Sequence, residues 1–307
     1  MRGRGCASVT NAVPELPEVE VTRRELAPKL LGRTIARVHT TAQSYFFLTA
    51  TARLRKQLSG RRADALQRIG KYLVLGLDDG SRVLLHLGMT GQLFFSGEPS
   101  VRLLSALRGV SLSPEQQHVQ ARFLPDAHTH LVLSFADDGP QLYFRDVRKF
   151  GKVEWLAKGA ESRRLDKLGV DALRACGSDL YAAAHKRRIP IKTLLLDQAV
   201  LAGVGNIYAD EALYLAGVHP ERKAQKVEQA QCDAIVAAVQ RVMQRSIETG
   251  GSSISDYVRP DGERGRYQDE RSVYSRTDEP CRRCGTLIER RVLGQRSTHF
   301  CPRCQKR

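Results

Sequence analysis

Long apolar runs are missing from this chain, and its cysteines do not form a disulfide framework. No run approaches the length that spans a membrane, and the N-terminus lacks the apolar core of a signal peptide. Of the seven cysteines, Cys6, Cys176 and Cys232 stand alone without framework spacing. The pattern excludes a membrane protein and a secreted disulfide-rich protein, and we expect a protein of the reducing cytoplasm.

The chain also has fewer acidic than basic residues. The 307 residues carry 49 Lys and Arg against 33 Asp and Glu, which gives a formal net charge of +16. Residues 281–307 alone hold eight basic residues and one acid, Glu289. A positive field attracts polyanions, and a basic chain end is typical of a nucleic-acid surface. Charge alone does not exclude a soluble protein that happens to be basic.

The patterning of the chain predicts an α+β protein. Pro17 suits the first turn of a helix, which should run to about Leu30 and stop at Gly32. Short alternating segments follow, separated by turns such as Asp78-Asp-Gly-Ser, and predict a β-sandwich that carries one helix. From about Leu165 the period becomes helical, which predicts a second, helical domain.

Three domains are predicted, with interruptions between and within them. The domains are residues 14–158, 159–272 and 273–307. Residues 1–13 have no apolar period and should form a disordered leader. Residues 97–127 break the strand rhythm as an inserted loop, and residues 250–275 are polar and Gly-rich, which predicts a mobile loop.

Two C-x2-C pairs lie near the C-terminus, Cys281 with Cys284 and Cys301 with Cys304, and sixteen residues separate the pairs. Each pair can bind one metal from a tight turn, and this spacing is typical of a tetrahedral zinc site. Four protein ligands leave no position for water, so the predicted zinc is structural. Arg296 lies at the tip of the basic hairpin between the pairs and is a candidate contact to backbone phosphate.

A glycine turn, Gly203-Val-Gly-Asn206, precedes a predicted helix. Amide groups at a helix N-terminus bind phosphate well, and Asn206 is predicted to cap this helix. An ordinary corner between two helices explains the turn equally well.

Three other segments are ordinary when each is taken alone. Pro14-Glu-Leu-Pro-Glu is compatible with a simple helix start. In His86-Leu-Gly-Met-Thr-Gly, the histidine is compatible with a structural role and Met89 with a buried position in the hydrophobic core. In Asp146-Val-Arg-Lys-Phe-Gly, Phe150 also suits a core.

Together and in this order, ahead of the glycine turn and the finger, these segments closely resemble the formamidopyrimidine-DNA glycosylase family. The resemblance covers the chain from Pro14 onwards. The start P-E-L-P-E fits the oxidised-purine branch better than the related endonuclease VIII group, which typically begins P-E-G-P-E. The resemblance implies a helix–two-turn–helix motif in the helical domain and one structural zinc in the C-terminal hairpin.

The resemblance also implies a set of catalytic residues. Pro14 would be the nucleophile that attacks C1′ of the damaged nucleotide, and Glu15 the acid and base. Glu18 would support that site. Lys71, otherwise readable as a surface lysine at a strand start, would contact phosphate and assist at the lesion.

Further residues match the DNA-contacting positions of the family. Met89, Arg148 and Phe150 would fill the stack that the extruded base leaves. Phosphate contacts are implied for Asn206 and Arg296, and for His86 or His128. Residues 255–268 match the loop that folds over the extruded base.

The leader is the main departure from the family pattern, because an attached leader makes the nitrogen of Pro14 a tertiary amide without nucleophilic character. Our hypothesis is that Val13 stands at the true start, read as methionine and then removed. Val147 replaces the usual proline of D-P-R-R-F-G, and Lys149 replaces its second arginine. Ser275 stands where glycine is common, and we assign it no function.

We therefore expect a monomeric, bifunctional glycosylase and apurinic-site lyase that acts on oxidised purines in duplex DNA. One alternative is an endonuclease VIII-like enzyme for oxidised pyrimidines. The other is a non-catalytic binder of damaged DNA, which would apply if residues 1–13 remain attached.

Overall fold

The computed structural model describes residues 13–97, 125–253 and 257–306. The predicted leader, apart from Val13, and most of the predicted loop 97–127 lie outside these residues. Within them, no helix is long and apolar enough to cross a membrane.

A sandwich of two four-stranded antiparallel sheets forms the first part of the fold, and the predicted α+β class is confirmed. Its strands are β1 (Ile35–Thr40), β2 (Ala63–Ile69), β3 (Tyr72–Leu77), β4 (Arg82–His86), β5 (Gly91–Phe95), β6 (Thr129–Phe135), β7 (Leu142–Asp146) and β8 (Lys152–Leu156). One sheet has the order β1-β6-β7-β5 and the other β2-β3-β4-β8. Apolar side chains from both sheets, among them Leu75, Leu85 and Phe144, form one buried core.

Two strands and a helix of this domain differ from the sequence expectations. Strands β2 and β8 were not predicted, because polar residues dilute their alternation. The sandwich also carries a second short helix, α2 (Thr51–Leu58), besides the predicted one. Only Leu54 and Leu58 of α2 are buried, a pattern too short to show helical periodicity.

Helix α1 (Leu16–Leu30) has the predicted bounds and joins the two main cores. Leu16 and Val21 are part of the core of the helical domain. Val19 and Leu26 are part of the sandwich core. Because one rigid helix contributes to both cores, its N-terminus is held between the two domains.

The second domain is helical, as expected. Its helices are α3 (Gly177–Ala184), α4 (Ile191–Leu195), α5 (Asn206–Leu215), α6 (Gln229–Glu248) and the single turn α7 (Tyr267–Glu270). Two-residue strands β9 (Val170–Asp171) and β10 (Leu201–Ala202) pair in parallel before the glycine turn. A 3₁₀ turn (Ala224–Lys226) precedes α6.

The segment predicted as a mobile loop, residues 250–275, is packed where it is described. Tyr257, Val258 and Tyr267 are buried. The backbone N–H of Tyr267 donates to the carbonyl of Gly251 at 3.1 Å. Because most of the segment is polar, its sequence did not indicate that Tyr257 would contact α1 and that Tyr267 would join the helical core.

Strands β11 (Glu289–Leu293) and β12 (Arg296–Phe300) form the C-terminal hairpin. A buried ion pair fixes this hairpin to the helical domain: Lys192 Nζ lies 2.7 Å from Asp210 Oδ1, and both side chains are fully buried. The same ammonium donates to the carbonyl of Ser297 and to Thr298 Oγ1. The other oxygen of Asp210 accepts the backbone N–H of His299.

We predict that Lys192→Met loosens the hairpin, because it leaves the Asp210 carboxylate buried without its cation. Breaking a buried pair in this way costs about 3–5 kcal/mol. Urea unfolding and the rate of zinc release to a chelator measure the effect. Lys186→Met, at an exposed position of the same domain, is the control; equal zinc release from both variants would contradict the prediction.

Candidate active site

The glycine turn packs directly on the first residues of α1. The backbone N–H of Leu16 donates to the carbonyl of Gly203 at 3.2 Å. Gly203 has φ +105°, and a Cβ there would lie 2.4 Å from Leu16 Cδ1. A Cβ at Gly205 would lie 2.2 Å from Glu15 Cδ. Both positions therefore need glycine so that the two domains can meet at Glu15.

The N-terminus of α5, which the sequence suggested as a phosphate-binding site, is occupied by the carboxyl of Glu15. Its Oε1 accepts the backbone N–H of Ile207 at 3.0 Å. The predicted cap at Asn206 is wrong: Gly205 is the N-cap and Asn206 is the first helical residue. A longer cap residue would collide with the Glu15 carboxyl, which itself bonds the free amide.

The carboxyl of Glu15 is set up to exchange a proton near neutral pH. Its side chain is 2% exposed, and Oε2 has no hydrogen-bond partner among the described residues. Burial raises the pKa of Glu15 to about 7, and the charge of Glu18 adds to the rise while Lys71 opposes it. A pKa in this range suits a general acid or base.

Glu18 ties three segments together rather than facing solvent. Its Oε2 accepts the backbone N–H of Glu15 at 2.9 Å. Its Oε1 accepts the Tyr208 hydroxyl at 2.6 Å and the backbone N–H of Ser252 at 2.8 Å. Burial raises the pKa of Glu18. Glu18 therefore fixes the backbone of Glu15 through a hydrogen bond.

Lys71 lies in the turn between β2 and β3, close to these two carboxylates. Burial lowers the pKa of Lys71 and the charge of Arg296 lowers it further, whereas Glu15 and Glu18 act in the opposite direction. The sandwich, the start of α1 and the tip of the hairpin thus converge on one place.

His86 lies beside Lys71 and packs against Tyr72 with the two rings tilted, at 4.8 Å between ring centroids. Burial lowers the pKa of His86 to about 4, and Lys71 and Lys152 add to the effect. Its Nδ1 accepts the backbone N–H of Gly88 at 3.1 Å. The neutral ring therefore carries its proton on Nε2, where it can donate.

Asn206 and Arg296 lie on opposite sides of the junction with the hairpin. Asn206 Nδ2 donates to Ser297 Oγ at 3.3 Å. Arg296 is exposed at the start of β12. Both predicted phosphate contacts are thus close to the glycine turn.

A second group of site residues lies on the sandwich, in the turns Leu87–Thr90 and Asp146–Gly151. Arg148 and Phe150 are exposed, and the Arg148 guanidinium stacks on the Phe150 ring at 4.8 Å. Met89 is half-buried in the neighbouring turn. His128 is also half-buried, and its carbonyl accepts the backbone N–H of Asp146.

Asp146 locks these two turns together. Its fully buried carboxylate accepts the Thr90 hydroxyl and the backbone N–H groups of Arg148 and Gly151. A Cβ at Gly88 would lie 2.4 Å from the nitrogen of Gly151, so the backbones touch here. Asp146 stood in the quoted motif, but nothing in the sequence indicated that it would point inwards.

Asp171 is a further residue that sequence reasoning missed. Its Oδ2 lies 2.6 Å from Arg68 Nη1 and accepts the backbone N–H of Gly70 at 3.3 Å. It thereby ties the turn that carries Lys71 to the second domain. Arg68 is 103 residues away in sequence, so no local pattern could have paired them.

The four finger cysteines fit a single zinc ion. The Sγ atoms of Cys281, Cys284, Cys301 and Cys304 lie within 4.8 Å of one another. The Cys281–Cys304 and Cys284–Cys301 separations are 3.8 and 3.5 Å, close to the ~3.8 Å that tetrahedral Zn–S bonds of about 2.3 Å require. The predicted structural zinc is confirmed by this donor set and by its family match.

Three family descriptions match successive parts of the chain. Residues 13–153 match the formamidopyrimidine-DNA glycosylase N-terminal domain and residues 168–258 its H2TH domain. Residues 278–307 match the zinc finger found in FPG and IleRS. The chain belongs to the formamidopyrimidine-DNA glycosylase family. This is a family of DNA repair glycosylases with apurinic-site lyase activity, so the predicted enzyme class is confirmed.

Relatives of the same family align over nearly the whole chain. The formamidopyrimidine-DNA glycosylase of Heliobacterium modesticaldum is 40% identical over 298 residues, which cover 96% of this chain and 100% of the relative. That of Neisseria meningitidis is 38% identical over the same shares.

Solved structures of the family have the same fold. The Thermus thermophilus MutM (FPG) protein superposes with a TM-score of 0.78 at 35% identity, covering 95% of this chain and 98% of that one. A Lactococcus lactis FPG mutant in complex with Fapy-dG-containing DNA gives 0.80 at 32% identity, covering 96% and 100%.

We predict that Gly205→Ala removes most glycosylase activity, because the added methyl group must displace the Glu15 carboxyl. Loss of a positioned proton-transfer group costs about 10²–10⁴ in rate. Single-turnover base release measures it. Gly76→Ala is the control, since a Cβ there would make an ordinary 3.4 Å contact with Ala65; two variants of equal, undiminished activity would refute the packing argument.

Proposed function

We propose that this protein excises oxidised purines, such as 8-oxoguanine and formamidopyrimidines, from duplex DNA and then cuts the strand at the resulting site. The observation that carries the proposal is the buried Glu15 carboxyl, with a pKa raised to about 7, directly after Pro14. An acid of this pKa next to an amine serves Schiff-base chemistry. The P-E-L-P-E start supports a purine substrate.

The proposed chemistry begins at Pro14. Its nitrogen, as a free secondary amine, attacks C1′ of the damaged nucleotide, and the bond from C1′ to the base breaks. The ring-opened sugar is then held as a Schiff base, which acidifies C2′. Loss of that proton expels the 3′ phosphate, and a second elimination expels the 5′ phosphate.

The neighbouring groups have separate roles in this scheme. Glu15, in its protonated form, gives a proton to the sugar ring oxygen and later moves protons during elimination. Glu18 holds Glu15 through its backbone N–H. Lys71, whose pKa is lowered, contacts a phosphate at the lesion and assists proton transfer.

The base must leave the helix before Pro14 can reach C1′. We assign the filling of the emptied stack to Met89, Arg148 and Phe150, since an apolar wedge also kinks the duplex. In support, the neighbouring solved structures include MutM in complex with DNA that contains carbocyclic 8-oxo-G.

Phosphate contacts hold the bent strand in this proposal. Arg296 supplies an exposed cation from the finger, and Asn206 supplies an amide beside it. His86 donates its Nε2–H to a phosphate, or His128 makes this contact instead. The loop of residues 255–268, described from residue 257, folds over the extruded base.

Borohydride trapping tests the proposal, because reduction of a Schiff base leaves a covalent protein–DNA adduct. The protein for this test is expressed with Met directly before Pro14, so that removal of Met frees the amine. We expect an adduct with duplexes that contain 8-oxoguanine, and a weaker one with oxidised pyrimidines.

The matched control is the chain with residues 1–13 attached, in which Pro14 is an amide and should give no adduct. If the processed protein forms no adduct, the remaining interpretation is a protein that binds damaged DNA without catalysis. A preference for oxidised pyrimidines would assign the chain to the endonuclease VIII type of activity.

The pH dependence of base release provides a second prediction. Protonated Glu15 is the active form, so the single-turnover rate should fall as pH rises through about 7, the pKa of this carboxyl. In Glu15→Gln the rate should be lower by about 10²–10⁴ and the decline centred there should disappear. A decline that persists in the variant would mean that another group titrates.

A further inference from the structure

The turn that carries Arg148 and Phe150 has little conformational restriction of its own. Val147 stands where D-P-R-R-F-G has proline, and valine does not fix φ as proline does. Lys149 has φ +58°, a left-handed conformation that is unfavourable for a side chain with a Cβ. Contacts from outside the turn must therefore hold its shape.

Contacts on the inner side of the turn involve its amide groups. Asp146 accepts the backbone N–H groups of Arg148 and Gly151, at 3.2 and 2.6 Å. These bonds leave the carbonyl groups of the turn to other partners.

Two side chains bind those carbonyl groups from the outer side. The Tyr45 hydroxyl donates to the carbonyl of Arg148 at 3.0 Å. Lys152 Nζ donates to the carbonyls of Phe150 and Gly151, at 3.2 and 3.0 Å. The same ammonium lies 4.8 Å from the centre of the Tyr45 ring, so the two side chains support each other.

Tyr45 is well placed for this role because its neighbours are fixed. Phe46 is fully buried, and its ring lies 4.9 Å from those of Phe144 and His130. Phe47 is also buried. The Tyr45 side chain itself is 57% exposed, so burial of apolar surface does not explain where it stands.

We propose that Tyr45 is a positioning residue for the DNA wedge. Its hydroxyl holds the carbonyl of Arg148 and so presents Arg148 and Phe150 in the conformation that enters the duplex. It supplies the restriction that a proline at position 147 would give. The inference rests on the proposed function, since it assumes that this turn enters DNA.

Tyr45→Phe tests the proposal because it removes only the hydroxyl. Wedge insertion is followed by stopped-flow fluorescence of 2-aminopurine placed beside the lesion. We expect insertion to be about 3- to 10-fold slower, the factor that corresponds to the net free energy of one hydrogen bond. Strand cleavage at an abasic site in single-stranded DNA, which needs no insertion, should be unchanged. Tyr181→Phe, in a tyrosine that stacks on His185 in the second domain, is the control.

The double variant Tyr45→Phe with Val147→Pro should recover the insertion rate. Asp146, which would precede the new proline, lies in a strand, the conformation that a residue before proline prefers. Insertion at the wild-type rate in Tyr45→Phe would overturn the proposal, as would equal losses on duplex and single-stranded substrates. Absence of a borohydride adduct in the otherwise unsubstituted protein that begins at Pro14 would instead count against the proposed chemistry, since fluorescence reports insertion without adduct formation.

Discussion

The contact between the start of α1 and the glycine turn is the constraint on which the rest of the structure depends. Gly203 and Gly205 lack side chains, so the turn approaches close enough for the amide of Ile207 to bond Glu15. Leu16 then enters the helical core, and the next turns of α1 enter the sandwich core. One close approach thus sets the burial of the acid, the position of the preceding Pro14 and the join between domains.

In the proposed function, DNA recognition and chemistry are divided between parts of the chain that this join brings together. The finger, held by the buried pair of Lys192 and Asp210, brings the charge of Arg296 near Lys71, whose pKa is lowered first by burial and then by that charge. The turn that we propose as the DNA wedge lies on the sandwich, where Asp146 accepts the backbone N–H groups of Arg148 and Gly151. In the proposed function, the finger therefore holds Arg296 for one phosphate contact, while the proposed proton-transfer groups Glu15 and Lys71 come from the N-terminal domain.

Motifs with strong local chemistry were predictable from the sequence, and long-range packing was not. The zinc ligands and the bounds of α1 follow from spacing and helix-start residues. The cap at Asn206 was wrong because the carboxyl that bonds the helix start comes from Glu15, 192 residues away from Ile207. Nothing in the sequence indicated Tyr45, since its proposed role depends on a carbonyl group 103 residues further on.

The most direct measurement of the central claim is the titration of the Glu15 carboxyl by NMR. Protein with ¹³C-labelled glutamate would be compared with its Glu15→Gln variant to assign the resonance. The close packing of the glycine turn predicts a midpoint of about 7. A midpoint near the ordinary value of 4.5 would mean that water reaches this carboxyl, and would contradict the buried acid on which the proposed chemistry depends.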